Sequence, residues 1–160
     1  MQFRLYLRRK LKNMNKEEIL AQYQAMCKNT LMETLEIKYV DVDVEKGILV
    51  ATMPVNSRVH QPMGLLHGGA TAALAESMGS GASALYADPK KFAILGIEIS
   101  CNHLRSMREG TVTATARILH KGRSTHLWEI ETRDEEGRLL SHCKLTNMIM
   151  PLRKTAHEEE

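Results

Sequence analysis

The sequence predicts an α+β domain with an antiparallel six-stranded sheet wrapped around a long central helix, and an N-terminal helix before the sheet. One observation is the order of the periodic segments, which is helix, two strands, helix, four strands. The other is that the second helix is rich in alanine and glycine, so strands can approach it closely and bury it nearly all round. With 160 residues, 43% of them hydrophobic, the chain can build one such core.

Each element has its own local signal. Asn15 can cap the N-terminal helix, with Glu17 and Glu18 in the first turn. Turns that contain glycine separate the last four strands, as is common in β-hairpins. The predicted elements are a helix over 15–32, strands over 35–43 and 48–55, a loop over 56–66, the central helix over 68–86, and strands over 92–103, 111–120, 125–133 and 139–150.

Composition argues against several classes of protein. The net charge of +3 is concentrated in residues 1–12, which hold five basic residues and no acidic one, so the body of the chain is not a polyanion binder. Aromatic residues make up only 4%, too few for a reader of single-stranded nucleic acid. The three cysteines form no CxxC pair, which favours neither a disulfide framework nor a metal site and fits the reducing cytoplasm.

The chain is predicted to hold a single domain. It has no repeat, no linker rich in proline or glycine, and no apolar run long enough to span a bilayer. We divide it into a basic arm at 1–14, a domain at 15–152 and a tail at 153–160. The arm lacks the apolar segment and cleavage site of a signal peptide, and an interfacial membrane anchor is the less favoured alternative for it.

One acidic residue, Glu76, lies in the middle of the central helix, and residues 60–85 contain no lysine or arginine. Ala73 and Ser80 share its face of the helix. Burying a carboxylate without a cation is costly, so such a group is a candidate general base or nucleophile. The alternative is an ordinary mid-helix glutamate that reaches solvent. The apolar residues on the other faces are predicted to contact the sheet: Leu74, Met78 and Leu85.

A second signal is His67-Gly68-Gly69 at the start of this helix. The first turn of a helix has free backbone N–H groups and the positive end of the dipole, and glycine lets a ligand approach them. Such a terminus can polarise a carbonyl and stabilise an oxyanion. The alternative is a capping histidine followed by a tight turn.

A thioester suits these residues, because a carboxylate or a carboxylate-activated water can attack it without a metal. The chain has no GxSxG motif of a serine hydrolase and no HExxH or other cluster of metal ligands. We therefore expect thioester hydrolysis with no metal and no cofactor.

Residues 61–70 and 74–77 strongly resemble the hotdog-fold acyl-CoA thioesterases, within the phenylacetate-type and 4-hydroxybenzoyl-CoA thioesterase group. The resemblance is closest to the 1,4-dihydroxy-2-naphthoyl-CoA thioesterases of menaquinone biosynthesis and their proofreading relatives of the enterobactin pathway. It extends from about residue 35 to residue 150 and includes 96–106 and 108–110.

The resemblance implies a role for each residue of the motif. Glu76 would attack the thioester carbonyl or activate water, and the Gly68 N–H would stabilise the oxyanion. His67 and Gln61 would position the thioester, and Ser80 would assist either water or the acyl carbonyl.

It also implies substrate-binding residues. His103 would lie near the acyl pocket, where a flat aromatic group or a medium chain could also meet Met63, Leu65 and Met78. The residues implied at the phosphates or pantetheine of coenzyme A are Arg105, Gly122, Arg123 and Ser124. For the two arginines, exposed surface without a ligand is the alternative.

The resemblance further implies a homodimer with a continuous sheet, in which Glu76 faces Gly68 of the partner subunit, and a tetramer of two such dimers. Coenzyme A would enter as part of the acyl-CoA substrate. Two other functions are alternatives. A hotdog dehydratase or hydratase lacks support because its longer signature is absent. A non-catalytic acyl-CoA-binding regulatory module would not need the acid at Glu76.

Overall fold

The computed structural model describes residues 14–152, so most of the predicted basic arm and the whole of the predicted tail lie outside the described residues. The α+β architecture is confirmed: one six-stranded antiparallel sheet packs against one long helix. The elements in chain order are α1 (Lys16–Met26), α2 (Leu31–Thr34), β1 (Lys38–Asp43), β2 (Ile48–Val55), α3 (Gly68–Ala84), β3 (Phe92–His103), β4 (Gly110–Lys121), β5 (Thr125–Arg133) and β6 (Leu139–Pro151).

The strands lie in the order β1-β2-β4-β5-β6-β3, and every pairing is antiparallel. This order places β1 and β3 at the two edges of the sheet, although β3 follows the central helix directly in the chain. Along β5 the buried and half-buried residues alternate, as expected when one face of a sheet covers a helix. The edge strand β3 carries Gly96 and His103.

The predicted N-terminal helix is too long. It begins as expected, with the side chain of Asn15 accepting the N–H of Glu18 at 2.9 Å, but α1 ends at Met26. Asn29 then adopts a left-handed φ of 60°, which an α-helix cannot continue through, and Thr30 caps the separate short helix α2. This extra helix also delays β1, which begins at Lys38 rather than at residue 35.

The central helix α3 is buried on one face only, which corrects the expectation that the sheet covers it nearly all round. The buried face includes Leu74, Met78 and Ala82, none of which retains exposed surface. Glu76 is exposed in the single chain, so the predicted burial of this carboxylate is not found there. The reason is that β3 is the edge strand of the sheet beside this part of the helix, and no other strand of residues 14–152 covers it.

Neither a membrane-spanning helix nor a groove lined by Glu76 stands out within residues 14–152. Within residues 14–152, no helix has both the length and the apolarity needed to cross a membrane. One open groove lies between α1 and β1, lined by residues that include Lys16 and Asp43. Another is lined by Arg105, Asp134 and Arg138. Glu76 lines neither groove.

Candidate active site

The carboxylate of Glu76 lies over the glycine at position 96 of β3. A Cβ atom at Gly96 would come within 2.6 Å of Glu76 Oε1, so a side chain there would displace the acid. In the sheet, Gly96 is directly opposite Asn147 of β6. The acid therefore lies over one member of a cross-strand pair and is open to solvent on its other side.

Ser80 lies over the other member of this pair. Its hydroxyl donates to Asn147 Oδ1 at 3.2 Å. Asn147 has no exposed surface, and its amide nitrogen donates to the carbonyl of Gly79 at 3.0 Å and to Ser83 Oγ at 2.9 Å. The sequence analysis missed Asn147. Its signal was an amide at an inward position of β6, between the buried Leu145 and Ile149.

At the start of α3, His67 acts as the N-cap that the alternative interpretation described. Its Nδ1 accepts the N–H of Gly69 at 2.8 Å, and the carbonyl of His67 accepts the N–H groups of Ala70 and Thr71. The N–H of Gly68 donates to no acceptor among residues 14–152. The cap therefore leaves one backbone donor of the first turn free, at the positive end of the helix dipole.

His103, at the end of β3, lies against Gly68. A Cβ atom at Gly68 would come within 2.8 Å of His103 Nε2. The other ring nitrogen, Nδ1, lies 3.0 Å from the hydroxyl of Ser141, a buried residue that the sequence analysis did not identify. The structure thus brings His103 and Gly68 together, a contact that the sequence did not predict.

The loop before α3 holds Gln61, Met63 and Leu65. Its backbone closes a turn through the carbonyl of Gln61, which accepts the N–H of Gly64 at 2.9 Å, and the side chain of Gln61 accepts the N–H of Met63. Arg108, which the sequence analysis also missed, donates to the carbonyl of Met63 at 3.2 Å. Met63 is 72% exposed and Leu65 is half-buried, so both can meet a ligand.

Proteins of known family share much of this sequence. The model of the thioesterase superfamily matches residues 63–141 of the chain. The 1,4-dihydroxy-2-naphthoyl-CoA hydrolase of Escherichia coli is 43% identical over 126 residues, which cover 79% of this chain and 90% of that protein. The chain belongs to the thioesterase superfamily.

Two further matches agree in sequence and in structure. The proofreading thioesterase EntH of Klebsiella pneumoniae is 42% identical over 135 residues, covering 84% of this chain and 96% of that protein. A crystal structure of a mutant of the thioesterase PA1618 from Pseudomonas aeruginosa superposes with a TM-score of 0.80 at 44% identity, covering 83% of this chain and 94% of that one. The fold is the hotdog fold, and the protein is a thioester hydrolase.

Met78 of this thioesterase does not fit the acyl-binding role suggested for it. The side chain has no exposed surface and belongs to the hydrophobic core between α3 and the sheet. The prediction that it faces the sheet is the correct one, because residue 78 lies two positions after Glu76 and so points to a different side of the helix.

Within one chain, the residues predicted to bind coenzyme A lie near opposite ends of the edge strand β3. Arg105 follows β3 on the side of His103, is exposed, and donates to the carbonyl of Leu139 at 2.8 Å. The β4–β5 turn, with Gly122, Arg123 and Ser124, lies instead beside Ile149, whose N–H donates to the carbonyl of Ser124 at 2.8 Å. Ile149 pairs with Ile94 near the other end of β3.

Glu76 and Gly68 of one chain also lie far from each other. They are eight residues apart on one helix, which corresponds to about 12 Å along its axis. Glu76 contacts the Gly96 end of β3 and Gly68 contacts its His103 end. One chain of the thioesterase therefore places an exposed acid over the middle of β3, at Gly96, and a backbone donor beside the last residue of that strand, His103.

Proposed function

We propose that this thioesterase hydrolyses an acyl-CoA to the free acid and coenzyme A, and that its substrate is an aroyl-CoA such as 1,4-dihydroxy-2-naphthoyl-CoA. The observation that carries the proposal is the pair of half-sites on α3: the exposed carboxylate of Glu76 and the free N–H of Gly68. The aroyl group is supported by the names of two relatives, one from Escherichia coli and one from Listeria monocytogenes, both called 1,4-dihydroxy-2-naphthoyl-CoA hydrolase.

The edge strand β3 suggests how the two halves meet. Gly96 and His103 pair with the buried residues Asn147 and Ser141, so both lie on the face of the sheet toward the helix. When two copies of β3 pair antiparallel, the Gly96 end of one strand lies beside the His103 end of the other. Glu76 of one chain then faces Gly68 of the partner subunit. The homodimer, and a tetramer of two dimers, are parts of the proposal.

Between these two groups the reaction needs no metal. The carbonyl oxygen of the thioester accepts the N–H of Gly68 of the partner subunit, which stabilises the negative charge that develops on attack. Glu76 attacks the carbonyl carbon and forms an anhydride that water then opens, or it removes a proton from the attacking water. In both routes the C–S bond breaks and the thiolate of coenzyme A leaves and takes a proton.

The remaining residues bind and orient the substrate. Gln61 and His67 flank the donor end, where the loop backbone and the cap hold them. His103, Met63 and Leu65 are proposed to meet the acyl group. Pairing of two β3 strands also moves Arg105 of the partner subunit toward the end that carries the 122–124 turn, which supports a shared role in binding coenzyme A.

The first experiment measures release of free thiol from a panel of aroyl-CoA and alkyl-CoA thioesters. We expect hydrolysis of aroyl-CoA by the wild type and a loss of at least about 100-fold in Glu76→Gln, the scale of a general base. Glu17→Gln, which changes an exposed acid on α1, is the matched control and should retain full activity. Full activity in Glu76→Gln would remove the acid from the mechanism.

A second experiment asks whether two chains share each site. Glu76→Gln and Gly68→Pro are expected to be inactive alone, because each lacks one half in both sites: the first lacks the carboxylate, and the second lacks the backbone N–H, which proline does not have and whose loss the first helical position tolerates. Random mixing of the two variants makes half of the dimers heterodimers, each with one intact site, so activity should return to about a quarter of the wild-type value. No recovery after verified subunit exchange would mean that each chain holds a complete site.

A further inference from the structure

We propose that Asn147 is a positioning residue of this thioesterase. Its Oδ1 accepts the hydrogen bond that the Ser80 hydroxyl donates, so that Ser80 Oγ can only accept a further hydrogen bond beside the carboxylate of Glu76. The inference rests on the proposed function, because it assigns what Ser80 contacts during hydrolysis. It selects water over the acyl carbonyl, the two partners that the sequence left open for Ser80.

The orientation of the Asn147 amide is fixed by its surroundings. The carbonyl of Gly79 can only accept a hydrogen bond, so the group 3.0 Å from it is the amide nitrogen. The second proton of this nitrogen points to Ser83 Oγ at 2.9 Å, which also accepts the indole N–H of Trp128 at 2.8 Å. All of this network lies in the core, where Asn147, Ser83 and Trp128 have no exposed surface. Asn147 Oδ1 is therefore the atom that faces Ser80.

This orientation decides the role of the serine. A hydroxyl has one proton, and the proton of Ser80 is committed to Asn147 Oδ1 at 3.2 Å. The lone pairs that remain on Ser80 Oγ can accept a hydrogen bond but cannot donate one. The acyl carbonyl of a thioester also only accepts, so Ser80 cannot stabilise it. A water molecule can donate to Ser80, which leaves water as the partner.

Glu76 and Ser80 lie one turn apart on the same face of α3, above the cross-strand pair of Gly96 and Asn147. A water between them donates one proton to the carboxylate and the other to the serine, and its lone pair is left for the carbonyl carbon. In direct attack, a C–O bond forms, Glu76 takes the proton, and the C–S bond breaks to release the thiolate. In the anhydride route, a water that donates to Ser80 attacks the acyl carbon of the anhydride, the C–O bond to Glu76 breaks, and the carboxylate that leaves takes the proton that the water loses.

The first test is the steady-state kinetics of Ser80→Ala with an aroyl-CoA substrate. Loss of one hydrogen bond to the attacking water should lower kcat about tenfold and leave KM within about twofold, because the bound acyl group loses no contact. Ser77→Ala, a half-buried serine of the same helix, should leave both constants unchanged. A raised KM with unchanged kcat in Ser80→Ala would place the hydroxyl on the substrate and overturn the inference.

The second test is a double-mutant cycle between Ser80→Ala and Asn147→Leu, which replaces the amide by an apolar group of similar size. Asn147→Leu alone should lower kcat about as much as Ser80→Ala does, but should cost less than about twofold when Ser80 is already alanine. Equal costs in both backgrounds would mean that Asn147 only supports the core. A coupled loss is the expected outcome, since a structural residue would lower kcat whether or not the serine is present.

Folding of Asn147→Leu is checked by its thermal melt. If it does not fold, Ser83→Ala takes its place, because it removes one of the two acceptors that hold the amide, and it should show the same coupling to Ser80 with a smaller loss of about threefold. Failure of the proposed function is visible separately. In that case the wild type does not hydrolyse thioesters or Glu76→Gln is fully active, whereas failure of this inference leaves both results intact and changes only the Ser80 and Asn147 variants.

Discussion

The carboxylate of Glu76 occupies the space that a side chain at position 96 would fill. Glu76 Oε1 lies 2.6 Å from the place of a Cβ on Gly96, although the two residues belong to different elements, α3 and β3. The strand thus sets the position of the acid by the absence of a side chain. Because Gly96 is also opposite Asn147, which holds Ser80, a single cross-strand pair determines where both polar groups of this face lie.

The first prediction follows from this contact. Gly96→Ala should fold, because the group in its way is the far end of a flexible side chain, but the carboxylate must move. Displacing a reacting group by about 1 Å can cost on the order of 100-fold in rate, so we expect kcat/KM to fall about 10- to 100-fold. Thiol release and a thermal melt measure the two effects.

Ser100→Ala is the control for this variant. Ser100 lies on the same strand but pairs with the exposed Lys144, so its side chain points to the face away from α3. It should leave activity and melting temperature unchanged. An active Gly96→Ala with an intact melt would show that the position of the carboxylate is not constrained by the strand.

The second prediction concerns the other end of α3. In Gly68→Ala the backbone N–H remains, and the residue has no positive φ, so alanine fits the helix start. The new Cβ would come within 2.8 Å of His103 Nε2 and push the ring aside. We expect a loss of about tenfold in kcat/KM, small beside the removal of an oxyanion donor.

A double-mutant cycle between Gly68→Ala and His103→Ala tests whether the added methyl group acts by displacing the imidazole ring. If the methyl group acts through the ring, Gly68→Ala should cost little once His103 is alanine. The same tenfold cost in both backgrounds would assign the effect to the N–H or to the substrate path instead.

The elements predicted most accurately have strong local signals. Strands 48–55, 92–103 and 125–133 were predicted with their observed bounds, because alternating residues end at glycine-containing turns or at Asp88-Pro89. The break after Met26 was missed, because it depends on the left-handed φ of Asn29, which no periodicity records. Prediction was weakest where distant elements meet.

Three features of the site show why. The exposure of Glu76 depends on β3 forming the edge of the sheet, which requires the strand order. Asn147 and Ser141 contribute through contacts with residues 67 and 38 positions away in the chain. Such contacts are not visible in any local pattern. Glu76 and Gly68 could be proposed from the sequence because both belong to one helix and to one continuous motif.

The third prediction distinguishes a methionine of the hydrophobic core, Met78, from a methionine of the candidate acyl pocket, Met63. Met78→Ala should lower the free energy of unfolding by about 2–5 kcal/mol, because it leaves a cavity under α3, while KM stays unchanged. Met63→Ala is the matched variant at an exposed position and should change stability by less than about 0.5 kcal/mol. If Met63 meets the acyl group, its variant raises KM. A raised KM with unchanged stability in Met78→Ala would contradict the observed packing.

The fourth prediction concerns alkaline stability. Burial raises the pKa of Tyr23, and the neighbouring Tyr39 and Tyr86 add to the shift; burial also raises the pKa of Tyr39. Tyr23 packs edge-on against Tyr39 and donates to the carbonyl of Gly81 on α3 at 2.9 Å, so it joins α1 to the central helix. Burial therefore favours the protonated form of both phenols in the folded state.

The sign follows from proton linkage. An unfolded tyrosine titrates near pH 10, whereas these two hold their protons to higher pH when folded, so unfolding releases protons in alkali. The stabilisation is complete below about pH 10 and is lost as the pH rises, with a slope approaching about 1.4 kcal/mol per pH unit for each tyrosine. Denaturant unfolding from pH 8 to pH 11 measures this slope of the free energy of unfolding.

In Tyr23→Phe the slope should decrease by the contribution of one tyrosine. The free energy of unfolding at pH 8 should fall by about 1 kcal/mol, because the hydrogen bond to the carbonyl of Gly81 is lost. An unchanged slope would mean that the phenol of Tyr23 titrates in the folded protein as it does in the unfolded chain.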